Sequence, residues 1–136
     1  MSIIQNAVKI TEDGKDFYLI STSRHDYARY DFKDGTFYAC DGGVTYLRRA
    51  YSTSKDNPFN KIVNFNLSNE STFDEICEKL LWGTYGKNDK DTLKYFPLST
   101  FTKAHLQAIL KTQPHIKGSL TEKVIKRLIK QNNFKN

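Results

Sequence analysis

Residues 62–81 read IVNFNLSNESTFDEICEKLL, and the spacing of the apolar positions changes inside this stretch. Up to Leu67 it is two: Ile62, Asn64 and Asn66 alternate against Val63, Phe65 and Leu67, the pattern of a half-buried strand or an extended lead-in. From Phe73 it is helical. Phe73, Ile76, Cys77, Leu80 and Leu81 fall at i, i+3, i+4, i+7 and i+8, one apolar stripe. Thr72-x-x-Glu75 supplies a capping box at the switch, because a threonine hydroxyl and a glutamate three residues on satisfy each other's backbone N–H groups. The spacing predicts a helix over Phe73–Leu81 ending near Trp82-Gly83. Burial of Phe73, Ile76 and Leu80 would contribute about 1.5–3 kcal/mol each.

Upstream of the switch the chain reads as strands. Ile3 to Ile10 and Phe17 to Thr22 flank a turn at Glu12-Asp13-Gly14-Lys15. Ala28 to Phe32 and Thr36 to Cys40 flank Asp34-Gly35, a hairpin signal because glycine tolerates a positive φ. Gly42-Gly43 marks a further sharp turn, and Thr45 to Tyr51 forms the next strand. The loops are too short for helical crossovers, so the sheet is expected to be antiparallel. Ser52 to Asn60 is polar, contains Asn-Pro and reads as a loop. Downstream, Trp82 to Phe96 is read as a loop, and a hairpin around Asn88-Asp89 would cluster Trp82, Tyr85, Tyr95 and Phe96. Thr102 caps a helix Lys103–Thr112 that Pro114 limits. Ser119-x-x-Glu122 opens another over Leu120–Gln131, and residues 132–136 fray. The expected fold is one α+β domain over residues 1–136, with an antiparallel sheet in 1–67 and about three helices in 68–136.

The 136 residues carry a net charge of +6, and mean hydropathy is -0.62. No run approaches the roughly 18 apolar residues of a membrane span. The start, MSIIQNAVKITEDG, lacks the basic and apolar regions of a signal peptide. Cys40 and Cys77 are far apart, which fits reduced thiols in a cytoplasm and no metal site by spacing. Charge is uneven: residues 101–136 hold eight basic residues and one acid, Glu122. Lys123, Lys126, Arg127 and Lys130 line one face of the last helix, either a solvated face or a nucleic-acid contact.

No nucleophile elbow, Walker loop, H-E-x-x-H or dinucleotide fingerprint occurs. Of the histidines, His105 falls in a helix and His115 in a linker, and His25 beside Asp26 or Asp41 is the single arrangement that resembles an oriented base. Enzyme is the least supported class, with no catalytic residue or cofactor assigned. Binding residues concentrate in Arg24–Arg49. Gly42 and Gly43 after Asp41, with Arg48 and Arg49, read either as a small phosphate or nucleotide site built on backbone N–H groups or as a tight sheet corner. In the second reading at least one of Arg48 and Arg49 pairs, partly buried, with Asp26, Asp31 or Asp41. Arg24, His25 and Asp26 complete that segment. Trp82 and Tyr85 are candidate anchors for a protein interface, since Trp, Tyr and Arg dominate such contacts.

Two motif sets carry a resemblance. His25-Asp26-Tyr27, Asp41-Gly42-Gly43 and Tyr46-x-Arg48-Arg49 together resemble a signature of small phage and bacterial proteins with no assigned activity. Some of those have cysteine pairs between the motifs, as a zinc ribbon would; Cys40 stands alone here, so no metal carries over. Trp82-Gly-Thr-Tyr-Gly-Lys with Pro97-Leu98 and His105 to Gln113 is similar to short accessory proteins of large tailed bacteriophages. The resemblance covers about half the chain. It implies a viral accessory protein made in the host bacterial cytoplasm, and no activity. A chain of this size with no chemical motif is expected to work by binding a host or viral macromolecule, a protein before a nucleic acid, and not a membrane. Separately, His105–Leu110, Gly118 and Val124–Ile129 look like a SAP-type helix–extended–helix motif, which implies nucleic acid as the alternative partner.

Overall fold

The computed structural model describes residues 2–22, 26–43, 46–52, 62–84 and 93–131. The expected loop at 52–60 (save Ser52), the turn at Asn88-Asp89, the fraying end, and Arg24, His25 and Tyr85 lie outside them. The fold is α+β, and the chain forms two compact units: Met1–Glu70 with Gly83–Tyr95, and Ser71–Trp82 with Phe96–Asn136.

In the strand unit, β1 (Ile3–Glu12) and β2 (Lys15–Ser21) form an antiparallel hairpin. Its turn is Asp13-Gly14, both at positive φ (55° and 74°), the geometry a two-residue hairpin loop requires. On its other side β1 pairs with β6 (Ile62–Asn64) and β7 (Leu67–Ser68). The strand expected over 62–67 is thus broken at Phe65-Asn66, where Asn64 Oδ1 accepts from the Asn66 N–H at 2.9 Å. Such side-chain-to-backbone bonds compete with the strand ladder. A second antiparallel sheet has the order β3 (Tyr27–Asp31), β4 (Phe37–Gly43), β5 (Tyr46–Tyr51). The first half is therefore two sheets, not one meander.

The core of this unit is Val8, Ile10, Phe32, Tyr38 and Cys40, with Phe17, Leu19, Tyr30 and Ile62 packed against it. Burial pushes the Cys40 thiol up to about 11, against the pull of Arg49. Glu12, buried at the end of β1, accepts from the Tyr30 hydroxyl and from the Lys33 N–H at 3.3 Å. The first bond is the main reason the Tyr30 phenol is pushed up to about 12.

The sharp turn expected at Gly42-Gly43 does not occur there. Strand pairing continues through Gly42↔Leu47 and Gly43↔Tyr46. Gly42 sits within the strand at φ 86°, and a Cβ on it would lie 2.5 Å from the Tyr46 ring and 2.7 Å from its carbonyl oxygen. Only glycine fits that combination.

In the helical unit, α1 (Phe73–Lys79) opens on the expected capping box. It ends two residues early, because Leu80 is extended and Leu81 begins β8 (Leu81–Thr84), which pairs with β9 (Lys94–Pro97). Phe73, expected in the core, is 36% exposed. A 3-10 turn at Leu98–Thr100 leads to α2 (Lys103–Thr112), capped by Thr102, whose hydroxyl accepts from the His105 N–H at 3.1 Å. A second 3-10 turn, Pro114–Ile116, precedes α3 (Leu120–Gln131). Ile76, Leu80, Leu98, Leu106, Ile109, Val124, Ile125 and Leu128 are buried here. No helix among the described residues is long and apolar enough to cross a membrane.

Candidate functional site

Strand alternation divides the Arg48-Arg49 pair between the two faces of the β3–β4–β5 sheet. The rows Tyr27↔Asp41↔Arg48, Arg29↔Ala39↔Ala50 and Asp31↔Phe37 lie on one face. Tyr30, Tyr38, Cys40 and Arg49 lie on the other, which carries the core residues.

The outer face is rich in aromatic and guanidinium groups. Tyr27 is 51% exposed. Arg29 lies over the Phe37 ring, 4.0 Å from its centroid, and pairs with Asp31 at 2.8 Å. Arg48 is exposed and lies 5.9 Å from the Tyr46 ring centroid. The Tyr46 hydroxyl is 3.4 Å from Asp41 Oδ1. Two arginines face two aspartates, so the face is close to neutral.

On the inner side Arg49 is half-buried and bound by neutral groups. Nη1 donates to Asn6 Oδ1; Nη2 donates to Asn66 Oδ1 at 2.6 Å and to the Ala7 carbonyl at 3.3 Å. Asn6 is fixed in turn by donating to the carbonyls of Asp41 and Gly42 at 2.9 and 3.0 Å. Asn66 Oδ1 also accepts from the Ala7 N–H at 3.0 Å. Beside this network lies a cleft of about 410 Å³ lined by Val8, Tyr38, Arg49, Ile62, Asn64 and Asn66. Burial pushes the Tyr38 phenol up, against the opposing effect of Arg49.

The expected pairing of Arg48 or Arg49 with Asp26, Asp31 or Asp41 is therefore corrected. Asp31 pairs with Arg29. Asp26 accepts from the Thr22 N–H at 2.8 Å, the Thr22 hydroxyl at 3.1 Å and the Tyr27 N–H at 2.9 Å. The Thr22 backbone bond is the main cause that holds the Asp26 carboxyl below its usual range. Arg49 takes amides instead, because β1 and the Asn66 segment reach it first. Nor do Gly42 and Gly43 form a cradle of free N–H groups: the Gly42 N–H donates to the Asp26 carbonyl at 3.0 Å.

In the helical unit, Lys123, Lys126 and Lys130 are exposed, with Lys126 3.8 Å from Glu122. Arg127 stands apart from that stripe. It pairs with Asp74 at 2.7 Å, donates to Gln131 at 3.0 Å and lies over the Phe73 ring at 5.2 Å. Trp82 is half-buried on β8. His105 stacks on Phe101 with centroids 4.4 Å apart. Among the described residues no group of three or more His, Cys, Asp or Glu side chains is placed to hold a metal ion.

Sequence reasoning missed Asn6, Asn64 and Asn66, which it left as the polar positions of strands. Their signal was present: asparagine is depleted in strands, and two at alternate positions in IVNFNL mark side chains that serve backbone groups. No family model, curated protein or solved structure matches the chain.

Proposed function

We propose that this chain is a non-enzymatic binding protein that docks a protein partner on the outer face of β3–β4–β5. The setting is the one its motifs imply, a bacteriophage accessory protein acting on a host or viral protein in the bacterial cytoplasm. One observation carries the reading. Tyr27, Phe37 and Tyr46 share that face with Arg29 and Arg48, while Asp31 and Asp41 cancel the charge. Tyrosine and arginine combine contact area with directional donors and dominate protein hot spots. A polyanion asks instead for an excess of positive charge.

The test places a photo-crosslinking residue at position 27 or at position 130 and uses nuclease-treated bacterial extract. A discrete protein adduct from position 27, lost with Arg48→Ala, is the expected result. Adducts from position 130 only, or an adduct indifferent to Arg48→Ala, defeat it. The nucleic-acid reading keeps three exposed lysines, Lys123, Lys126 and Lys130, without Arg127. It predicts duplex affinity falling with salt at a log–log slope of about -3, from about -0.9 per phosphate contact.

A further inference from the structure

The cleft beside Arg49 has a polar lining of one chemical sense. Asparagine orientation is ambiguous only when the hydrogen-bond network leaves it so, and here it does not. Asn66 Oδ1 faces the Ala7 N–H and the Arg49 guanidinium, and Asn64 Oδ1 faces the Asn66 N–H. Both oxygens are thereby engaged inside the chain. The NH2 ends of Asn64 and Asn66 have no acceptor among the described residues. Arg49 adds a positive charge whose bonded partners, Asn6, Asn66 and the carbonyls of Ala7 and Arg48, are all neutral. Hydrogen bonds to neutral acceptors satisfy a guanidinium's donors without cancelling its charge. No carboxylate lies within 4 Å of Arg49 among the described residues. The remaining lining, Val8, Ile62 and the Tyr38 ring, is mostly apolar.

We propose that this cleft binds an oxyanion carried on an apolar or aromatic body, either a phosphate monoester or a carboxylate. The oxyanion accepts from the NH2 groups of Asn64 and Asn66 within the field of Arg49, and the body lies on Val8, Ile62 and Tyr38. The volume, about 410 Å³, is that of an ordinary small-ligand site. The site is independent of the outer sheet face: the two residues that β3–β4–β5 contributes to it, Tyr38 and Arg49, lie on the opposite face of that sheet. It also departs from the Gly42-Gly43 site suggested by the motif, because those backbone groups are already paired.

The experiment titrates the full chain, isotopically labelled, with phenyl phosphate, benzoate, neutral benzamide and cationic benzamidine. The readout is the side-chain amide signals of Asn64 and Asn66. Both anions are expected to shift these signals saturably, and benzamide and benzamidine are not. Phenyl phosphate the tighter identifies a phosphate monoester as the natural class, and benzoate the tighter identifies a carboxylate. The discriminating variant is Asn64→Asp. It keeps the oxygen that accepts from the Asn66 N–H but replaces the NH2 donor by a negative oxygen, at an exposed position. Affinity for the anions should fall at least about tenfold, the loss of one charge-assisted bond. Asn66→Asp, which gives Arg49 a carboxylate partner, should weaken them as well. Equal shifts by benzamidine, no shift by either anion at millimolar concentration, or an Asn64→Asp protein of unchanged affinity overturns the proposal.

Discussion

The two units treat their key arginine in opposite ways. In the helical unit Arg127 meets a carboxylate, Asp74, at 2.7 Å, with side-chain exposures of 36% and 81%. Its charge is neutralised, but in water, where such a pair is worth about 1 kcal/mol or less. In the strand unit Arg49 is half-buried and ties β5 to β1 and to Asn66 through neutral acceptors. Its geometry is the more demanding, and its charge remains. A guanidinium thus does one of two jobs here. It pairs at the surface with little effect on stability, or it organises buried polar groups and leaves a positive field beside a cleft.

The strongest challenge to this contrast is Gly42→Ala, since Gly42 presents the carbonyl that holds Asn6 for Arg49. A side chain there combines positive-φ strain with a clash against Tyr46, so urea denaturation should report a loss on the order of 3 kcal/mol. A loss under 1 kcal/mol would mean that the corner relaxes freely and that Asn6 is not rigidly placed. Next in size is Arg49→Met, which keeps the apolar stem and orphans the oxygen of Asn6, while that of Asn66 keeps only the Ala7 N–H. About 2 kcal/mol is expected by the same measurement.

Asp26→Asn sharpens the picture through pH. The native carboxyl is held below its ordinary value of 3.8, chiefly by the Thr22 N–H. Its stabilisation is therefore complete above that value and is lost as pH falls through the lower native one. The stability gap between wild type and Asp26→Asn should be constant near neutrality and close in acid; a gap that widens in acid reverses the sign. The smallest effect belongs to Arg127→Met, with a loss below about 1 kcal/mol that added salt reduces further. If it matched Arg49→Met, the contrast between the units would not hold.

The helical unit was the more legible of the two. Helices over Lys103–Thr112 and Leu120–Gln131 have the bounds expected from their caps and apolar spacing. The first helix misled at its end, because Leu80 and Leu81 are buried whether they close a helix or open a strand, and apolar spacing does not distinguish the two. In the strand unit the hairpin at Asp13-Gly14 was plain from its turn chemistry. The division into two sheets was not, since strand pairing is non-local. Alternation along β5 puts Arg48 and Arg49 on opposite faces, but it says nothing of partners. Aspartates were the nearest acceptors in sequence, while the actual ones come from residues 6, 7 and 66. Phe73 fits the apolar stripe yet is 36% exposed, beneath the Arg127 guanidinium.

Each unit also encloses one cysteine: Cys40 is fully buried in the strand unit, and Cys77 is 5% exposed in the helical unit. A thiol reagent reaches such a sulfur only after local opening, so its labelling rate is the opening equilibrium multiplied by the rate for a free thiol. Two thiols in two units act as a pair of internal clocks. With each cysteine replaced in turn by alanine, the remaining clock reports how often its own unit opens. Equal rates are expected if the chain opens as a whole; unequal rates give the separate opening equilibria of the strand and helical units without any added label.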